Sequence, residues 1–497
     1  SGQHSEDNGS ENMIIHGDNL EALKALLPQY EGKIKCIYID PPYNTGNEGW
    51  VYNDNVNDPK IKKWLGEVVG KEGEDLSRHD KWLCMMYPRL KLLEKLISED
   101  GAIFISIDDT EIANLKIVCN GIFGQNNHIA TFIWQKRYAP DARTAISDAH
   151  EFILCYAKNP DLFKNSRHLL PLGEAQTKQC SNPDNDPRGP WKADNFTAPG
   201  YRPNQMYEIT LPSGRVVTPP QGRCWRVTKA GFDQFVSDRR MVYGNNGDGA
   251  PAVKRFLAEM PGMVPWTWWS HEEVGHTQEG NKQLASIMGK SVFDYPKPTR
   301  LIERILQIAS DPDSIILDSF AGSGTTAHAV LNMNKADGGH RKFILIEMMD
   351  YADNITAERV KRVIHGYGEG KKAVEGTGGN FSYYELGPVL LQPDGNLNEE
   401  VGTDKIRSYV YYMETKETLP TQQNPVEPYR MGVCRDTAYY FYYERQKVTT
   451  LDYEFLSTIQ TKASGYIIYA DLCAIPQETL RKYNITFKKI PRDIARL

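Results

Sequence analysis

The chain has 497 residues, of which 40% are hydrophobic and 25% charged, and its formal net charge is −6. This length exceeds one ordinary domain, and no apolar run approaches the roughly 20 residues that span a bilayer, so we expect a multidomain protein without membrane spans. The negative charge argues against a protein that coats nucleic acid nonspecifically, although a local DNA cleft remains possible. Residues 1–12 are polar and lack both an apolar core and a starting Met. We expect them to be disordered or a tag remnant, not a signal peptide.

Strands and helices alternate through the first third of the chain. The apolar stretch Met13–Ile15 leads into His16-Gly17-Asp18-Asn19 and then leucines at helical spacing, which predicts a strand, a tight turn and a helix. A second strand over Ile34–Ile39 runs into Asp40-Pro41-Pro42-Tyr43. A helix near residues 81–98 and an apolar strand over 101–107 follow. This alternation predicts, for residues 13–160, a parallel sheet that is covered on both faces.

The pattern changes over residues 161–280, where we expect an inserted domain. Prolines, glycines and Asn/Asp turns become frequent, and short aromatic segments replace long helices. Residues 161–260 contain 14 Lys and Arg against 10 Asp and Glu. Interleaved basic and aromatic side chains suit phosphate contact and base stacking, and a β-rich domain with a solvated basic face is an equal alternative. The residues that we expect to contact DNA are Arg188, Lys192, Arg202, Arg223, Arg226, Arg239 and Arg240.

The α/β pattern resumes over residues 281–379. A helix near 301–309 and a strand over 314–318 precede Ser319-Phe320-Ala321-Gly322-Ser323-Gly324-Thr325-Thr326, and a further helix and strand end at Glu347. These elements complete a βαβ unit. Residues 380–497 form a tyrosine-rich tail with strand-like runs at 438–443 and 466–469, which we interpret as a small separate α/β domain.

The glycine-rich turn predicts a ligand site. Gly322 and Gly324 allow the backbone to approach a ligand closely, and the helix that follows presents free N–H groups to a carboxylate or phosphate. Glu347, at the end of the next strand, stands where nucleoside-binding α/β folds hold a ribose hydroxyl pair. A turn that serves tight packing alone is the less favoured interpretation.

Asp40-Pro41-Pro42-Tyr43 gives the sharper prediction. Two prolines fix a rigid backbone at the carboxyl end of a strand, where open α/β sheets place their active sites. An exocyclic amino group of a base attacks a methyl group only if acceptors hold its protons, and Asp40 and the Pro41 carbonyl could be these acceptors. Tyr43 could stack on the extruded base. The alternative is a Pro-Pro turn that only ends a strand.

Both motifs together resemble the amino-methyltransferases of DNA, with their Asp-Pro-Pro-Tyr and Phe-x-Gly-x-Gly signatures. The motif order resembles the β group of that family, in which a target-recognition domain separates the two motifs. Segments at 186–191, 267–269 and 295–298 resemble the modification subunits of Type III restriction-modification systems and their stand-alone relatives, over approximately residues 13–367. The resemblance implies a Rossmann-like sheet with an inserted target-recognition domain and S-adenosylmethionine as cofactor.

The resemblance also implies roles for single residues. It places Lys297 beside the methionine part of the cofactor, Asp18 at its adenine and Glu347 at its ribose. The catalytic residues that it implies are Asp40, Pro41, Pro42 and Tyr43. The cofactor-binding residues that it implies are Asp18, Asn19, Lys297, Asp318, Phe320, Gly322, Ser323, Gly324, Thr325 and Glu347.

We therefore expect a bacterial, site-specific enzyme that flips adenine out of double-stranded DNA and methylates N6 from S-adenosylmethionine. N4-cytosine methylation is the alternative within the family, where Ser commonly replaces the first Asp, and a specificity subunit that only holds cofactor is the alternative outside it. We expect a homodimer and, as a possible partner, a restriction or helicase subunit.

Several absences narrow these expectations. None of the eight cysteines follows a proline, which argues against methylation at cytosine C5, and the chain lacks a Walker-type loop. The cysteines are scattered singly, with no Cys-x-x-Cys pair and no His cluster at metal spacing. This spacing predicts a cytoplasmic protein without a metal site.

Overall fold

The computed structural model describes residues 10–44, 74–173, 177–392, 394–420 and 426–492. It divides into two compact units. The larger unit comprises Ser1–His168 and Trp266–Leu497, and the smaller unit comprises Leu169–Pro265. None of the helices in the described ranges is both long and apolar enough to cross a membrane.

A nine-stranded sheet forms the centre of the larger unit. Its strands, numbered along the chain, are β1 (Met13–His16), β2 (Ile34–Ile39), β3 (Ile97–Ile107), β4 (His128–Gln135), β5 (His150–Ala157), β6 (Trp268–Trp269), β7 (Ile315–Asp318), β8 (Lys342–Glu347) and β9 (Ser382–Glu385). Their order across the sheet is β6-β4-β5-β3-β2-β7-β8-β1-β9. All neighbours are parallel except that β5 runs antiparallel to both β3 and β4. The predicted α/β class with a largely parallel sheet is confirmed.

Helices cover this sheet. They are α1 (Asn19–Tyr30), α2 (Glu74–Leu96), α3 (Ile112–Phe123), α4 (Pro160–Ser166), α5 (His271–Val274), α6 (Thr277–Met288), α7 (Thr299–Ala309), α8 (Thr325–Asp337) and α9 (Glu358–His365). Every residue of β2 is buried, including Lys35, as expected for a strand with both faces covered. One large core joins α1, α2 and α3 to the central strands, with Leu23, Trp82 and Leu115 among its buried side chains.

The carboxyl ends of the central parallel strands position the predicted motifs. Asp40 directly follows β2, Asp318 ends β7 and Glu347 ends β8. These three strands are neighbours and parallel, so their carboxyl ends meet at one edge of the sheet. Segments separated by about 280 residues in sequence are therefore adjacent in the fold.

The smaller unit consists of short strands around a small aromatic core. The strands are Trp191–Asn195, Thr197–Pro199, Ile209–Thr210, Val216–Val217, Arg223–Trp225, Met241–Val242 and Ala252–Phe256, and the helix is Lys229–Ser237. Phe196, Trp225 and Phe232 are buried in its core. This unit is shorter than the predicted insert over 161–280, because α4 contacts β3 and β6 extends the main sheet beside β4.

Residues 403–492 form a second sheet with cores of its own. The strands Arg430–Cys434, Thr437–Phe441, Gly465–Ala470 and Ile485–Lys489 pair in that order, and the helices are Thr403–Thr415, Tyr453–Ser457 and Gln477–Lys482. Two-residue strands pair at 366–367 with 374–375 and at 450–451 with 472–473. The Tyr412 hydroxyl donates to Glu31 at the end of α1. The tail therefore contacts α1 and belongs to the same compact unit as the nine-stranded sheet.

The first residues of the chain lie partly outside the described ranges. Of the segment 1–12, residues 10–12 are described. Asn12 accepts from the Phe343 N–H at 2.9 Å and donates to the Asn380 carbonyl at 2.9 Å. Asn12 therefore links β8 to the segment that precedes β9.

Candidate active site

A cavity of about 1300 Å³ opens at the carboxyl edge of the central strands. It lies within the larger unit. The predicted residues on its wall are Asp40, Pro41, Pro42, Tyr43, Lys297, Asp318, Phe320, Gly322, Ser323, Thr325 and Glu347. The two sequence motifs therefore face one shared space.

The Asp40 motif is held rigidly on one side of this cavity. The Tyr43 hydroxyl donates to Asp40 Oδ1 at 2.8 Å. The Trp82 indole N–H, from α2, donates to the Pro42 carbonyl at 2.6 Å. Asp40 follows a wholly buried strand and exposes 27% of its side chain, so its carboxylate is fixed while it still faces the cavity.

Lys297 and Glu151 complete a cluster of charges around Asp40. Lys297 Nζ lies 2.9 Å from Asp40 Oδ2, 2.9 Å from the Tyr43 hydroxyl and 3.4 Å from Glu151 Oε2. Tyr43 Oη lies 3.0 Å from the same Glu151 oxygen. Lys136 Nζ lies 3.3 Å from Glu151 Oε1. Lys297 was expected beside the methionine part of a cofactor, whereas its ammonium here contacts the Asp-Pro-Pro-Tyr motif.

Opposite charges set the ionisation of this cluster. Burial alone would lower the pKa of Lys297, but the carboxylates of Asp40 and Glu151 outweigh it, so its pKa is raised. Burial alone would raise the pKa of Glu151, but Lys297 and Lys136 outweigh it, so its pKa is lowered. Lys297 is therefore an ammonium and Glu151 a carboxylate at neutral pH.

The glycine motif forms the facing wall. Gly322 and Gly324 have φ of 52° and 83°, a conformation that side chains with a Cβ rarely adopt. A Cβ at Gly322 would lie 3.3 Å from the Phe293 ring, and a Cβ at Gly324 would lie 3.2 Å from the Thr356 carbonyl oxygen. The Thr356 hydroxyl also donates to the Gly322 carbonyl at 2.6 Å. The positive φ therefore favours glycine at both positions, and a Cβ there would make a tight contact.

Glu347 is oriented by the backbone around it. Its carboxylate accepts from the Gly322 N–H at 2.7 Å and from the Met349 N–H at 3.0 Å. Burial outweighs these hydrogen bonds and raises the pKa of Glu347. Phe293 and Tyr351 meet edge to face beside it, with ring centroids 5.4 Å apart. A carboxylate and two aromatic rings therefore line this end of the cavity.

Asp318 is a second buried carboxyl group at the same edge. It accepts from the Thr326 hydroxyl at 2.6 Å and from the Phe320 N–H at 3.0 Å. Burial, with smaller contributions from nearby Asp40 and Glu347, raises the pKa of Asp318 to about 7.

The sequence matches a family model described as DNA methylase over residues 34–358, more than half of the chain. The chain belongs to the DNA methylase family. It is 35% identical to the Type III restriction-modification enzyme StyLTI Mod subunit of Salmonella typhimurium, over 72% of this chain and 58% of that protein. It is 34% identical to the EcoPI Mod subunit of Escherichia phage P1, over 69% of this chain and 58% of that protein. It is 32% identical to the Type II methyltransferase M.KpnI of Klebsiella pneumoniae, over 67% of this chain and 80% of that protein.

The match therefore spans a little over half the length of these two Mod subunits. The resemblance predicted from the two motifs is confirmed at the level of the family.

Three predicted cofactor residues of this DNA methylase, Asp18, Asn19 and Gly324, are not on the cavity wall. The Asp18 carboxylate caps α1, accepting from the N–H groups of Leu20 and Glu21 at 2.8 and 3.1 Å, and lies 3.3 Å from Arg89 Nη2. The buried Asn19 donates to the Ser319 carbonyl at 2.9 Å. Asp18 does not face the cavity, because its carboxylate is used by the helix terminus and the arginine.

The predicted DNA-contacting residues all lie in the smaller unit, and most of them have a polar partner within it. Arg188 pairs with Asp186 at 2.8 Å and Arg240 pairs with Glu259 at 2.6 Å, and both guanidinium groups stack on Phe256. Further internal partners are Thr197 for Arg223, Asp194 for Arg226 and Gln205 for Arg202. Lys192 and Arg239 form no ion pair within the described part of the chain. Arg188, Arg202, Arg226 and Arg239 are the exposed members.

Sequence reasoning missed Glu151, Phe293 and Tyr351. Glu151 is a charged residue at the start of the otherwise apolar strand β5, which was the available signal. It reaches the active-site edge because β5 is antiparallel to β3, so that the start of β5 lies beside the end of β3. Phe293 and Tyr351 stand in connecting segments and carried no comparable signal.

Proposed function

We propose that this chain transfers a methyl group from S-adenosylmethionine to N6 of adenine in double-stranded DNA. The observation that carries the proposal is the shared cavity, which Asp40 and Tyr43 line together with Gly322 and Glu347. A methyl donor bound at the glycine wall and an amine bound at Asp40 would meet in that space. Membership in the DNA methylase family supports this assignment.

The residues present fit the proposed cofactor. The glycine turn at Gly322 leaves a cradle that a Cβ would fill, since Phe293 already lies 3.3 Å from that position. Glu347 offers carboxylate oxygens to a ribose diol, and the rings of Phe293 and Tyr351 offer an apolar surface to adenine. When bound, S-adenosylmethionine supplies an electrophilic methyl group on its sulfonium sulfur.

The residues around Asp40 orient the target amine. The Asp40 carboxylate accepts hydrogen bonds from an incoming exocyclic amino group, which directs the nitrogen lone pair toward the cofactor side of the cavity. Lys297 Nζ lies 2.9 and 3.1 Å from the two oxygens of the Asp40 carboxylate, so the incoming amine displaces one of these two contacts. Glu151 can keep the displaced ammonium, since the two groups are 3.4 Å apart. The Tyr43 ring stacks on the flipped base, and the contacts of its hydroxyl with Asp40 and Glu151 hold the ring in place.

Adenine N6 is proposed over cytosine N4 because the motif begins with Asp40, where N4 enzymes of the resembling family commonly have Ser. The test is methylation of double-stranded DNA with S-adenosylmethionine, followed by mass spectrometry of the nucleosides. We expect N6-methyladenine. Detection of N4-methylcytosine instead would show that cytosine is the target base. Cofactor binding without any methyl transfer would favour a specificity subunit.

We propose that the smaller unit recognises the DNA sequence around the target. Arg202 and Arg239 support this role, because both are exposed and neither forms an ion pair within the described part of the chain, so they can reach phosphates without giving up an internal carboxylate pair. We expect Arg239→Ala to weaken DNA binding and reduce the slope of log affinity against log salt by about 1. Arg188→Ala is the matched control and should lower the thermal stability instead, because Arg188 bonds the buried Asp186. Unchanged binding in both folded variants would remove this unit from DNA contact.

We further propose that two copies associate and that a separate restriction subunit completes a larger enzyme. Two relatives of this chain are Mod subunits of Type III restriction-modification enzymes, which supports a multisubunit assembly. Light scattering of the purified chain should give twice 56.4 kDa. A monomer that methylates DNA would contradict the dimer.

A further inference from the structure

Arg359 lies buried directly behind the glycine wall of the cavity. It is the second residue of α9 and its side chain is fully buried. One of its terminal nitrogens donates to the Ser323 and Thr325 hydroxyls, both at 2.8 Å. The other lies 3.3 Å from His328 Nδ1. Ser323 and Thr325 both line the cavity, so a single layer of hydroxyl groups separates the guanidinium from it.

The charge of Arg359 has no carboxylate partner among the described residues. Its acceptors are two hydroxyls, the Ser323 carbonyl at 3.5 Å and the His328 imidazole. Burial and Arg359 itself hold the pKa of His328 well below its usual range, so this imidazole is neutral. Its Nε–H has no hydrogen-bond acceptor within the described part of the structure. Burial lowers the pKa of Arg359 to about 9, and the group is still charged at neutral pH.

Burial of a cation without an anionic partner costs free energy. Such a group is a candidate for a functional site, where a bound anionic ligand supplies the missing counter-charge. The local backbone supports this interpretation. A π-helical turn over Ala352–Ala357 directly precedes α9, and such turns are frequent at functional sites. Thr356 in this turn donates to the Gly322 carbonyl at 2.6 Å, while Arg359 holds the next two hydroxyl-bearing residues of the motif. The turn and the arginine therefore support the glycine wall together.

We propose that Arg359 is the positioning cation for the carboxylate of the cofactor's amino-acid moiety, and that it acts through the Ser323 hydroxyl, since the Thr325 hydroxyl already donates to the Lys297 carbonyl at 3.2 Å. This inference rests on the proposed function, because it takes S-adenosylmethionine as the ligand. A hydroxyl that accepts from a guanidinium becomes a stronger donor toward an anion on its other side. The charge itself also attracts a carboxylate across one layer of side chains in a low-dielectric site.

The test compares two ligands that differ only in this carboxylate. S-adenosylmethionine and decarboxylated S-adenosylmethionine share the adenosine, the sulfonium and the amine. Calorimetry with the full chain gives the affinity ratio of the two ligands for the wild type, Arg359→Met and Arg359→Lys. Arg407→Met is the matched control, since Arg407 is also buried and donates to the carbonyls of Pro428 and Arg430 in the C-terminal part.

We expect the wild type to prefer the carboxylated ligand by about 10- to 100-fold. Arg359→Met should reduce this preference at least tenfold while the affinity for the decarboxylated ligand stays within threefold. Arg359→Lys, which keeps a charge and is the variant to use if Arg359→Met does not fold, should retain part of the preference. Arg407→Met should retain all of it.

A purely structural role of Arg359 predicts a different result. The affinities for both ligands would then fall by the same factor in Arg359→Met. Alternatively, the affinity ratio in Arg359→Lys would equal the ratio in the uncharged variant Arg359→Met. Either result overturns the inference. A wild type that binds neither ligand would instead refute the proposed function, so the two failures are distinguishable.

Discussion

Replacement of Asp40 by alanine tests the proposed chemistry most directly. The carboxylate accepts from Lys297 at 2.9 and 3.1 Å and from Tyr43 at 2.8 Å, and it is the acceptor proposed for the target amine. Loss of one preorganised hydrogen-bond partner of a transition state costs about 2.7–4 kcal/mol. We therefore expect the single-turnover rate of methyl transfer to fall by about 100- to 1000-fold.

The same variant should leave cofactor binding almost unchanged. Lys297 keeps Tyr43 at 2.9 Å and Glu151 at 3.4 Å as partners, so its ammonium does not become an isolated buried charge. Calorimetry with S-adenosylmethionine should give a dissociation constant within a few fold of the wild type. The control is Asp141→Ala, because Asp141 also lines the cavity but pairs with the exposed Arg143.

Transfer of a radiolabelled methyl group to duplex DNA, measured with enzyme in excess, gives the rate of the chemical step. Asp141→Ala should stay within threefold of the wild type. An Asp40→Ala variant that retains more than about a tenth of the wild-type rate would refute the assignment of this carboxylate to the amine.

Three further expectations concern the same cavity. Tyr43→Phe should slow methyl transfer about tenfold in the same assay, because the lost hydroxyl contacts Asp40, Glu151 and Lys297, and an unchanged rate would mean that only the ring matters. Glu347→Gln should weaken S-adenosylmethionine binding about tenfold by calorimetry through loss of a charged acceptor, and an unchanged constant would move the ribose site elsewhere. The raised pKa of Asp318, about 7, predicts a stability contribution that is complete below pH 4 and lost as the pH rises through 7. The melting temperature of the wild type, measured relative to that of Asp318→Asn, should therefore decrease as the pH is raised from 5 to 8. Melting temperatures of the two proteins that run in parallel over this pH range would contradict this.

The sequence alone determined the class of the fold and the two motifs. The buried strand β2 contains the continuous apolar run Cys36–Ile39, and this signal is local, so it does not depend on the tertiary arrangement. Asp40 and Gly322 were identified because proline pairs and closely spaced glycines restrict the backbone by themselves. Parallel pairing then brings the ends of β2, β7 and β8 to one edge, so their proximity was also predictable.

The tertiary structure alone decided which other side chains reach that edge. Glu151 stands beside Tyr43 only because β5 runs antiparallel to its neighbours, and strand direction is not encoded in the residues of one strand. Arg359 lies behind the glycine motif because α9 packs there, 36 residues after Ser323. Asp18 caps α1 and lies off the cavity wall, since helix-terminal N–H groups and Arg89 compete for its carboxylate. Charge pairing between distant segments depends on packing, and a linear sequence does not contain these distances.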